Sequence, residues 1–174
     1  NGHDAALSGA TWVKQGSGFA VSLDGRDDYI DCTRGKSLDL TGPVSIEAWI
    51  KPTRKAKGEA HLMGEGMGSF TLTYYNTELC LFYIGEGGNN LKEYLKLNQW
   101  QHVAATFDGD RMGMWINGRQ VGGAKSKVKS FVTEGKFVIG TKGRPELPRF
   151  KGLVDNVRVY GRAMSEKQIV AHVK

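Results

Sequence analysis

Four aspartates lie within eight residues near the start of the chain: Asp24, Asp27, Asp28 and Asp31. The chain as a whole is basic, with 24 Lys and Arg against 18 Asp and Glu, so this concentration of negative charge is unusual. Calcium binds six to eight oxygens of carboxylates, carbonyls and water, and the Asp24-Gly25 turn could supply both kinds of protein ligand. The cluster indicates either a calcium site or a solvated acidic turn in which Asp side chains accept hydrogen bonds from backbone N–H groups.

Patterns of catalytic residues are missing from the sequence. No Glu has a second carboxylate at i+2 or i+4, the spacing that places a pair of glycosidase carboxylates on one face of a strand. The four histidines are dispersed and form no two-histidine metal motif. His102 has no nucleophile motif beside it, so we expect a hydrogen-bonded structural histidine. The sequence therefore predicts a domain that is not an enzyme.

Aromatic and basic residues are the remaining candidates for ligand binding. Sugar-binding surfaces combine aromatic faces with planar polar groups. Tyr74, Tyr75 and Tyr83 lie near the ends of predicted strands, whereas the tryptophans at 49, 100 and 115 are expected in the core. Among the basic residues, Arg144 and Arg149 flank a proline-containing loop and have the fork geometry that suits carboxylate or sulfate. The basic residues thus indicate either a purely solubilising role, which is the simpler interpretation, or binding of an acidic polysaccharide, and a neutral glycan is a further alternative.

The elements that must position these residues are short strands. Gly is frequent, with 24 residues against 4 Pro, and Gly, Asn and Asp punctuate alternating apolar runs from residue 18 to residue 160. Asp108-Gly109 and Asn117-Gly118 are strong hairpin turns. Ser165 and Gln168 form a capping box before an apolar stripe, which predicts one short helix over residues 165–173. The sequence thus predicts an all-β sandwich of two antiparallel sheets with a short C-terminal helix.

Length and composition limit the organisation of the protein. A chain of 174 residues with 40% hydrophobic residues suits one domain, here residues 1–174. No apolar run approaches the roughly 20 residues of a membrane span, and the scattered basic residues form no nucleic-acid-binding pattern. The chain begins at Asn1, so we expect a module excised from a larger protein. Cys32 and Cys80 lie in apolar stretches and are expected to be free thiols, with a disulfide as the alternative.

Four segments together resemble laminin G-like domains of the concanavalin A-like lectin and glucanase superfamily. They are FAVSLDGRDDYI (19–30), SIEAWIKP (45–52), WQHVA (100–104) and GLVDNVRVYGRAMS (152–165). The resemblance implies a jelly roll of two curved antiparallel sheets. It also implies a lectin-like, non-catalytic, secreted or extracellular module that accompanies other domains and binds a polysaccharide or glycan. A protein-binding adhesion module of the laminin G type is the alternative function.

The same resemblance implies a structural calcium ion. In relatives an Asp of the final-strand motif helps to bind calcium with N-terminal residues, and Asp155 has that place here. Its partners would be Asp24 or Asp27 and the carbonyl of Gly25. A carboxylate in an apolar strand needs a neutralising partner. The alternative to calcium is therefore a salt bridge from Asp155 to Arg158 or Arg162.

Overall fold

The computed structural model describes residues 4–34, 40–55, 58–65, 69–75, 79–85, 91–131, 137–140 and 149–174. Within these ranges the chain forms fourteen strands and one helix. They are β1 (Asp4–Ser8), β2 (Thr11–Gln15), β3 (Gly18–Asp24), β4 (Tyr29–Arg34), β5 (Val44–Pro52), β6 (Glu59–Gly64), β7 (Phe70–Tyr75), β8 (Leu79–Ile84), β9 (Leu91–Tyr94), β10 (Gln101–Phe107), β11 (Arg111–Ile116), β12 (Arg119–Lys125), β13 (Val138–Gly140), β14 (Lys151–Tyr160) and α1 (Glu166–His172).

The strands form two antiparallel sheets. The first sheet has the order β1-β4-β13-β6-β7-β8-β9, and the second has the order β12-β11-β10-β5-β14-β3-β2. In both sheets a strand from late in the chain lies in the interior: β13 pairs with β4 and β6, and β14 pairs with β3 and β5. This arrangement confirms the predicted two-sheet sandwich with its short C-terminal helix.

Strict alternation along the strands makes the core. In β5, Ile46, Ala48 and Ile50 are fully buried in the core, and in β7 Phe70 and Leu72 are buried with them. Successive side chains of a strand point to opposite faces, so the intervening residues face away from the space between the sheets. The two inner faces supply one continuous apolar cluster, as expected for a β-sandwich.

Helix α1 covers part of the outer face of the second sheet. Ile169 on the helix is fully buried in a cluster with Met164, Ala104 and Trp115. Ser165 caps the helix as predicted, because its side chain accepts from the backbone N–H of Gln168 and Gln168 reaches back to the cap. No helix in the described ranges is long and apolar enough to cross a membrane.

A buried carboxylate connects the helix with the second sheet. Glu47 Oε1 lies 2.8 Å from His172 Nδ1 on the helix and accepts from Arg158 Nη1 and the Tyr160 hydroxyl, each at 3.2 Å. Glu47 Oε2 lies 3.2 Å from His102 Nε2. Glu47 and His102 are 0% and 1% exposed, so their contact is shielded from solvent.

Three strands were not predicted from the sequence. These are β1, β2 and β9, and each lies at the edge of a sheet. An edge strand is half-exposed, so its residues need not alternate between apolar and polar types. Trp12 of β2, for example, is 62% exposed although it lies on the same face as buried Val21 opposite it.

Candidate functional site

The structure separates the three tyrosines predicted to bind a ligand. Tyr74 is 0% exposed and packs edge-to-face on Phe150 with ring centroids 5.8 Å apart, so it presents no face to a ligand and this part of the prediction is wrong. Tyr75 ends β7, and its side chain lies outside the described set. Tyr83 is half-buried on the face of the first sheet that points away from the core.

Tyr83 belongs to a polar surface on the first sheet, which we call the outer polar face: His61, Thr71, Thr73 and Tyr83. The register of β6, β7 and β8 places Thr73 opposite His61 and Thr71 opposite Tyr83. Residues directly opposite in an antiparallel pair share a face. An imidazole, two hydroxyls and a phenol ring are therefore neighbours on three adjacent strands.

The hydroxyls of Thr71 and Thr73 form a floor between the side chains of His61 and Tyr83, and they are the more deeply buried groups. Thr71 is 2% exposed and Thr73 0%, while His61 and Tyr83 are half-buried. Thr71 Oγ1 lies 3.4 Å from His61 Nδ1 and donates to the carbonyl of Met63 at 3.3 Å. In the part of the chain that the structure describes, the Thr73 hydroxyl has no hydrogen-bond partner. A buried hydroxyl without a partner is costly, so the floor has unused hydrogen-bonding capacity.

Basic residues border this face. Arg149 is half-buried and its backbone bridges to His61 of β6. The Arg54 guanidinium donates to the carbonyl of Gly25 at 2.9 Å and to that of Arg149 at 3.5 Å. Arg144, the other predicted anchor, lies outside the described residues. Arg149 therefore adjoins His61 through its backbone, and the Arg54 guanidinium reaches the Arg149 carbonyl.

The acidic residues at the end of β3 form a cluster as the sequence suggested. Carboxylate oxygens of Asp24, Asp27 and Asp28 all lie within 4.8 Å of one another. Asp28 Oδ2 accepts from the backbone N–H of Asp24 at 2.8 Å, and Asp24 Oδ1 accepts from that of Arg26 at 2.7 Å. The structure thus contains the hydrogen bonds of an acidic turn, and its three carboxylates also form a donor set that suits a hard cation.

Asp155 does not join this cluster. In the pairing of β14 with β3, Lys151 lies opposite Asp24, and Asp155 comes four residues further along, roughly 13 Å away at about 3.3 Å per residue. Its carboxylate accepts from the backbone N–H of Asn156 at 2.7 Å and from the Asn156 side chain at 3.2 Å. A calcium site shared by Asp155 and the Asp24 turn is therefore not formed.

Neither Arg158 nor Arg162 forms the predicted salt bridge with Asp155. Arg158 pairs with Glu47, and the Arg162 guanidinium donates to Gln168 at 3.0 Å and lies over the Tyr160 ring. The carboxylate is half-exposed rather than buried, because Asp155 lies opposite Trp49, on the face of the second sheet that points away from the core. Because the Asp155 carboxylate is in contact with solvent, it does not need the neutralising charge that a buried carboxylate would need.

Sequence reasoning missed the two threonines and His61, although a signal was present. The segment FTLTYY of β7 alternates, which places Phe70, Leu72 and Tyr74 on one face and Thr71 and Thr73 on the other. Alternation along the strand therefore predicts that Tyr74 is buried. The prediction that it binds a ligand used its position near the end of the strand instead, and that criterion was wrong.

Comparisons with known proteins agree on the architecture. A laminin G family model of the concanavalin A-like lectin/glucanases superfamily matches residues 24–170. The binding domain of Paraclostridial Mosquitocidal Protein 1 superposes with a TM-score of 0.77 at 14% identity, over 98% of this chain and 47% of that chain. The binding domain of Botulinum Neurotoxin DC in complex with SialylT gives 0.77 at 12%, over 99% and 46%.

Domain 4 of AbnA, an extracellular arabinanase from Geobacillus stearothermophilus, in complex with arabinotriose, gives a TM-score of 0.73 at 19% identity, over 95% of this chain and 81% of that chain. This chain thus spans about half the length of the toxin binding domains and most of the arabinanase domain. No curated protein sequence matches it significantly. Because the family model covers most of the sequence and the sandwich agrees with it, the chain belongs to the laminin G branch of the concanavalin A-like lectin/glucanases superfamily.

Proposed function

We propose that this protein is a non-catalytic carbohydrate-binding module whose ligand lies on the outer polar face. The observation that carries the proposal is the arrangement of that face: the half-buried Tyr83 ring and the His61 imidazole flank a floor of threonine hydroxyls. A sugar ring offers C–H groups to an aromatic face and hydroxyls to polar groups at the same time. His61 and Tyr83, both half-buried, are the members of this face that a sugar could contact, whereas Thr73 is 0% exposed and supports them from below.

The structural neighbours support this proposal by what their complexes contain. The arabinanase domain holds arabinotriose, and the neurotoxin binding domain holds SialylT. Both are parts of larger proteins, which supports a binding role within a multidomain protein rather than a reaction of its own. The lack of paired carboxylates in this sequence points the same way.

We expect the glycan to be acidic. Arg149, whose backbone bridges to His61, and Arg54, whose guanidinium reaches the Arg149 carbonyl, would pair with carboxylate or sulfate groups, since guanidinium forks match these groups in geometry. Such binding weakens with rising salt, because exposed charges are screened over about 10 Å at 0.1 M ionic strength. A neutral glycan held mainly by Tyr83 would bind independently of salt.

A glycan array with neutral, uronic and sulfated polymers, followed by titration of the best ligand, tests the proposal. Tyr83→Ala should weaken binding about fivefold, because an aromatic contact contributes on the order of 1 kcal/mol. Tyr94→Ala is the matched control, since Tyr94 lies on β9 of the same sheet and is 64% exposed. Equal loss in both variants, or no glycan bound by the wild-type protein, would contradict the proposal.

The alternative is a protein-binding adhesion module of the laminin G type. Its specific support is the exposure of two large aromatic residues near the β2–β3 hairpin, Trp12 at 62% and Phe19 at 60%. Exposed apolar groups of this size are typical of interaction surfaces when they form a patch. A Phe19→Ser variant that keeps glycan binding but loses cell or matrix adhesion would favour this function.

For the acidic cluster we propose a structural calcium ion held by Asp24, Asp27 and Asp28. Three carboxylates within 4.8 Å supply the charge and the hard oxygens that calcium prefers. The Gly25 carbonyl, a predicted ligand, already accepts from Arg54, so the carboxylates would be the main ligands. The ion would stiffen the turn after β3.

Calcium at a hundred times its dissociation constant should stabilise the folded state by about 2.7 kcal/mol. For a chain of this size that raises Tm by about 5 to 10 °C. Asp27→Asn should reduce the shift, whereas Glu166→Gln on the exposed side of α1 should not. If EDTA and calcium give the same Tm, measured by differential scanning fluorimetry, the cluster is an acidic turn only.

We further propose that residues 1–174 act as one module of a larger secreted protein. The support is that the matched arabinanase domain is part of an extracellular enzyme and the matched neurotoxin domain is part of a toxin. When the complete natural coding sequence is expressed as a reporter fusion, we expect the fusion protein to appear in the culture medium. Its recovery in the cell fraction alone would contradict this part of the proposal.

A further inference from the structure

Strand β2 is a regular, open edge of the second sheet, unlike the other three edge strands in the described ranges. The pairing of β1 with β4 has a register shift between Asp4 and Ala6, and that of β12 with β11 has one between Met114 and Trp115. β9 has four residues and lies against β11 and β12. β2 pairs with β3 without a register shift over its whole length. Bulges, short strands and coverage keep sheet edges from pairing with other chains, and β2 has none of these protections.

The backbone of β2 presents two residues to the open edge. A two-residue turn joins β2 to β3, and Gly16 has the positive φ, +56°, that a type II′ turn needs. The residues flanking such a turn, Gln15 and Gly18, are hydrogen-bonded to each other. Bonded and non-bonded pairs alternate along an antiparallel ladder, so the N–H and C=O groups of Trp12 and Lys14 point away from β3. The Lys14 carbonyl accordingly accepts from the Gln15 side chain at 2.9 Å and keeps a second lone pair for another donor.

The side chains along this edge are large and exposed. Trp12 is 62% exposed and Phe19 60%, and Lys14, which lies directly opposite Phe19, is exposed as well. Alternation along the two strands places all three side chains on the same side of the second sheet as Val21. An open strand edge is thus combined with two exposed aromatic rings and one cation.

The same strand of a second copy fits both the backbone and these side chains. Two copies of β2 can meet antiparallel about a two-fold axis with Val13 opposite itself, which places Trp12 of each copy opposite Lys14 of the other. These are the residues whose N–H and C=O groups point outward, so each such pair can exchange both backbone hydrogen bonds. Each Lys14 ammonium then lies between its own Phe19 ring and the partner's Trp12 ring, where cation–π attraction favours it.

The other antiparallel registers that match outward-facing residues are less favourable. A pair centred on Lys14 would place the two lysines directly opposite each other, and like charges in that position destabilise a sheet. A pair centred on Trp12 would place the rings opposite each other and leave each Lys14 without an aromatic partner from the other copy. The charge and aromatic pattern of β2 therefore selects the register centred on Val13.

We propose that the protein forms a two-fold symmetric dimer in which the β2 strands of two copies pair antiparallel, centred on Val13, and join their second sheets into one continuous sheet. A contact of this kind uses the same surface on both copies, so it closes on itself and stops at the dimer. The proposal does not depend on the glycan-binding function, because the outer polar face belongs to the first sheet. Since β2 has five residues, the interface is small and we expect a weak dimer.

Sedimentation velocity from about 10 µM to 1 mM, with a thiol reductant present, covers the range of a weak dimer. Trp12→Lys sets two lysines opposite each other, and Lys14→Glu replaces the cation at the Trp12 ring by a carboxylate. Each change affects both symmetric pairs and should weaken association about tenfold. An equal mixture of the two variants should associate about as tightly as the wild-type protein, because the new lysine of one lies opposite the new glutamate of the other. Tyr94→Lys is the matched control, since Tyr94 is 64% exposed on the edge strand β9.

Amide hydrogen exchange in the wild-type protein tests the same register even where a variant fails to fold. The amides of Trp12 and Lys14 should exchange rapidly in dilute protein and slowly in concentrated protein. The amide of Val13, which points toward β3, should not depend on concentration. A wild-type protein that stays monomeric, equal weakening in Tyr94→Lys, no recovery in the mixture, or concentration-independent exchange at Trp12 and Lys14 would each overturn the proposal.

Discussion

At the scale of single residues, the carboxylate of Glu47 connects three elements of the structure. It is fully buried on the outer side of the second sheet, and side chains from β10, β14 and α1 surround it. Burial acts to raise the pKa of Glu47, but hydrogen bonds from His102 and Arg158, and the positive charge that His102 and His172 carry when protonated, outweigh it and lower the pKa to about 2. The carboxylate is therefore ionised over the physiological range.

This shift makes stability depend on pH in a definite direction. The pKa in the folded state lies below the ordinary value of 4.5, so the stabilisation is complete above about pH 4.5 and is lost as pH falls toward 2. Glu47→Gln should remove that dependence. It should also lower the free energy of unfolding by about 3 kcal/mol at neutral pH, the usual cost of removing one partner of a buried charge group.

Urea titrations at a series of pH values measure both effects of Glu47→Gln. Glu166→Gln is the matched control, because Glu166 is exposed in the first turn of α1. A variant at position 47 whose stability falls with acid as steeply as that of the wild-type protein would show that other groups govern the acid response.

Residue-level prediction from sequence succeeds where a local rule applies and fails where contacts are long-range. Alternation in β7 contains the information that Tyr74 is buried, and the capping box fixes Ser165 and Gln168. By contrast, Glu47 and His172 are separated by 125 residues, and no local pattern relates them. Asp155 and Asp24 are likewise far apart in the sequence, and no local pattern shows that the strand register keeps them separate.

At the scale of elements, the C-terminal helix is stabilised by both its cap and its contacts with the sheet. Seven residues are too few for a helix to be stable alone in water. The Ser165 cap satisfies N–H groups that would otherwise be orphaned, and Ile169 adds a fully buried contact. Cap and burial together therefore decide whether the helix forms.

Ser165→Ala should destabilise the protein by about 1 kcal/mol, the typical cost of losing an N-cap side chain. The corresponding fall in Tm is about 2 to 4 °C for a chain of this length. Lys167→Ala, an exposed position in the same helix, should change Tm by less than a degree. If the two variants melt alike in circular dichroism, the cap does not contribute to the docking of the helix.

The elements that were predictable and those that were not differ in their position in the sheets. Central strands such as β5 and β10 have long buried runs and strong turn residues around them, and the sequence located them within a few residues. The edge strands β1, β2 and β9 have one neighbour each and mixed exposure, which leaves little pattern to detect. Their pairing depends on the rest of the sheet.

At the scale of the whole molecule, the strand order pairs strands from late in the chain with strands from its first half. The last strand, β14, lies between β3 and β5 in the second sheet, and β13 lies between β4 and β6 in the first. Neither sheet can be completed before the C-terminal quarter of the chain is present. Topologies with so many non-local pairings fold slowly, in milliseconds to seconds.

Truncations at the two ends should therefore differ sharply. Removal of residues 1–15 deletes β1 and β2, which are edge strands with one neighbour each, and the remaining protein should fold with a lower Tm. Removal of residues 151–174 deletes a central strand and the helix, leaves β3 and β5 without their shared partner, and should abolish cooperative unfolding altogether. Far-ultraviolet circular dichroism melts distinguish the two outcomes. A cooperative transition in the variant that lacks β14, or its absence in the variant that lacks β1 and β2, would show that the stability of the sandwich does not follow the position of its strands.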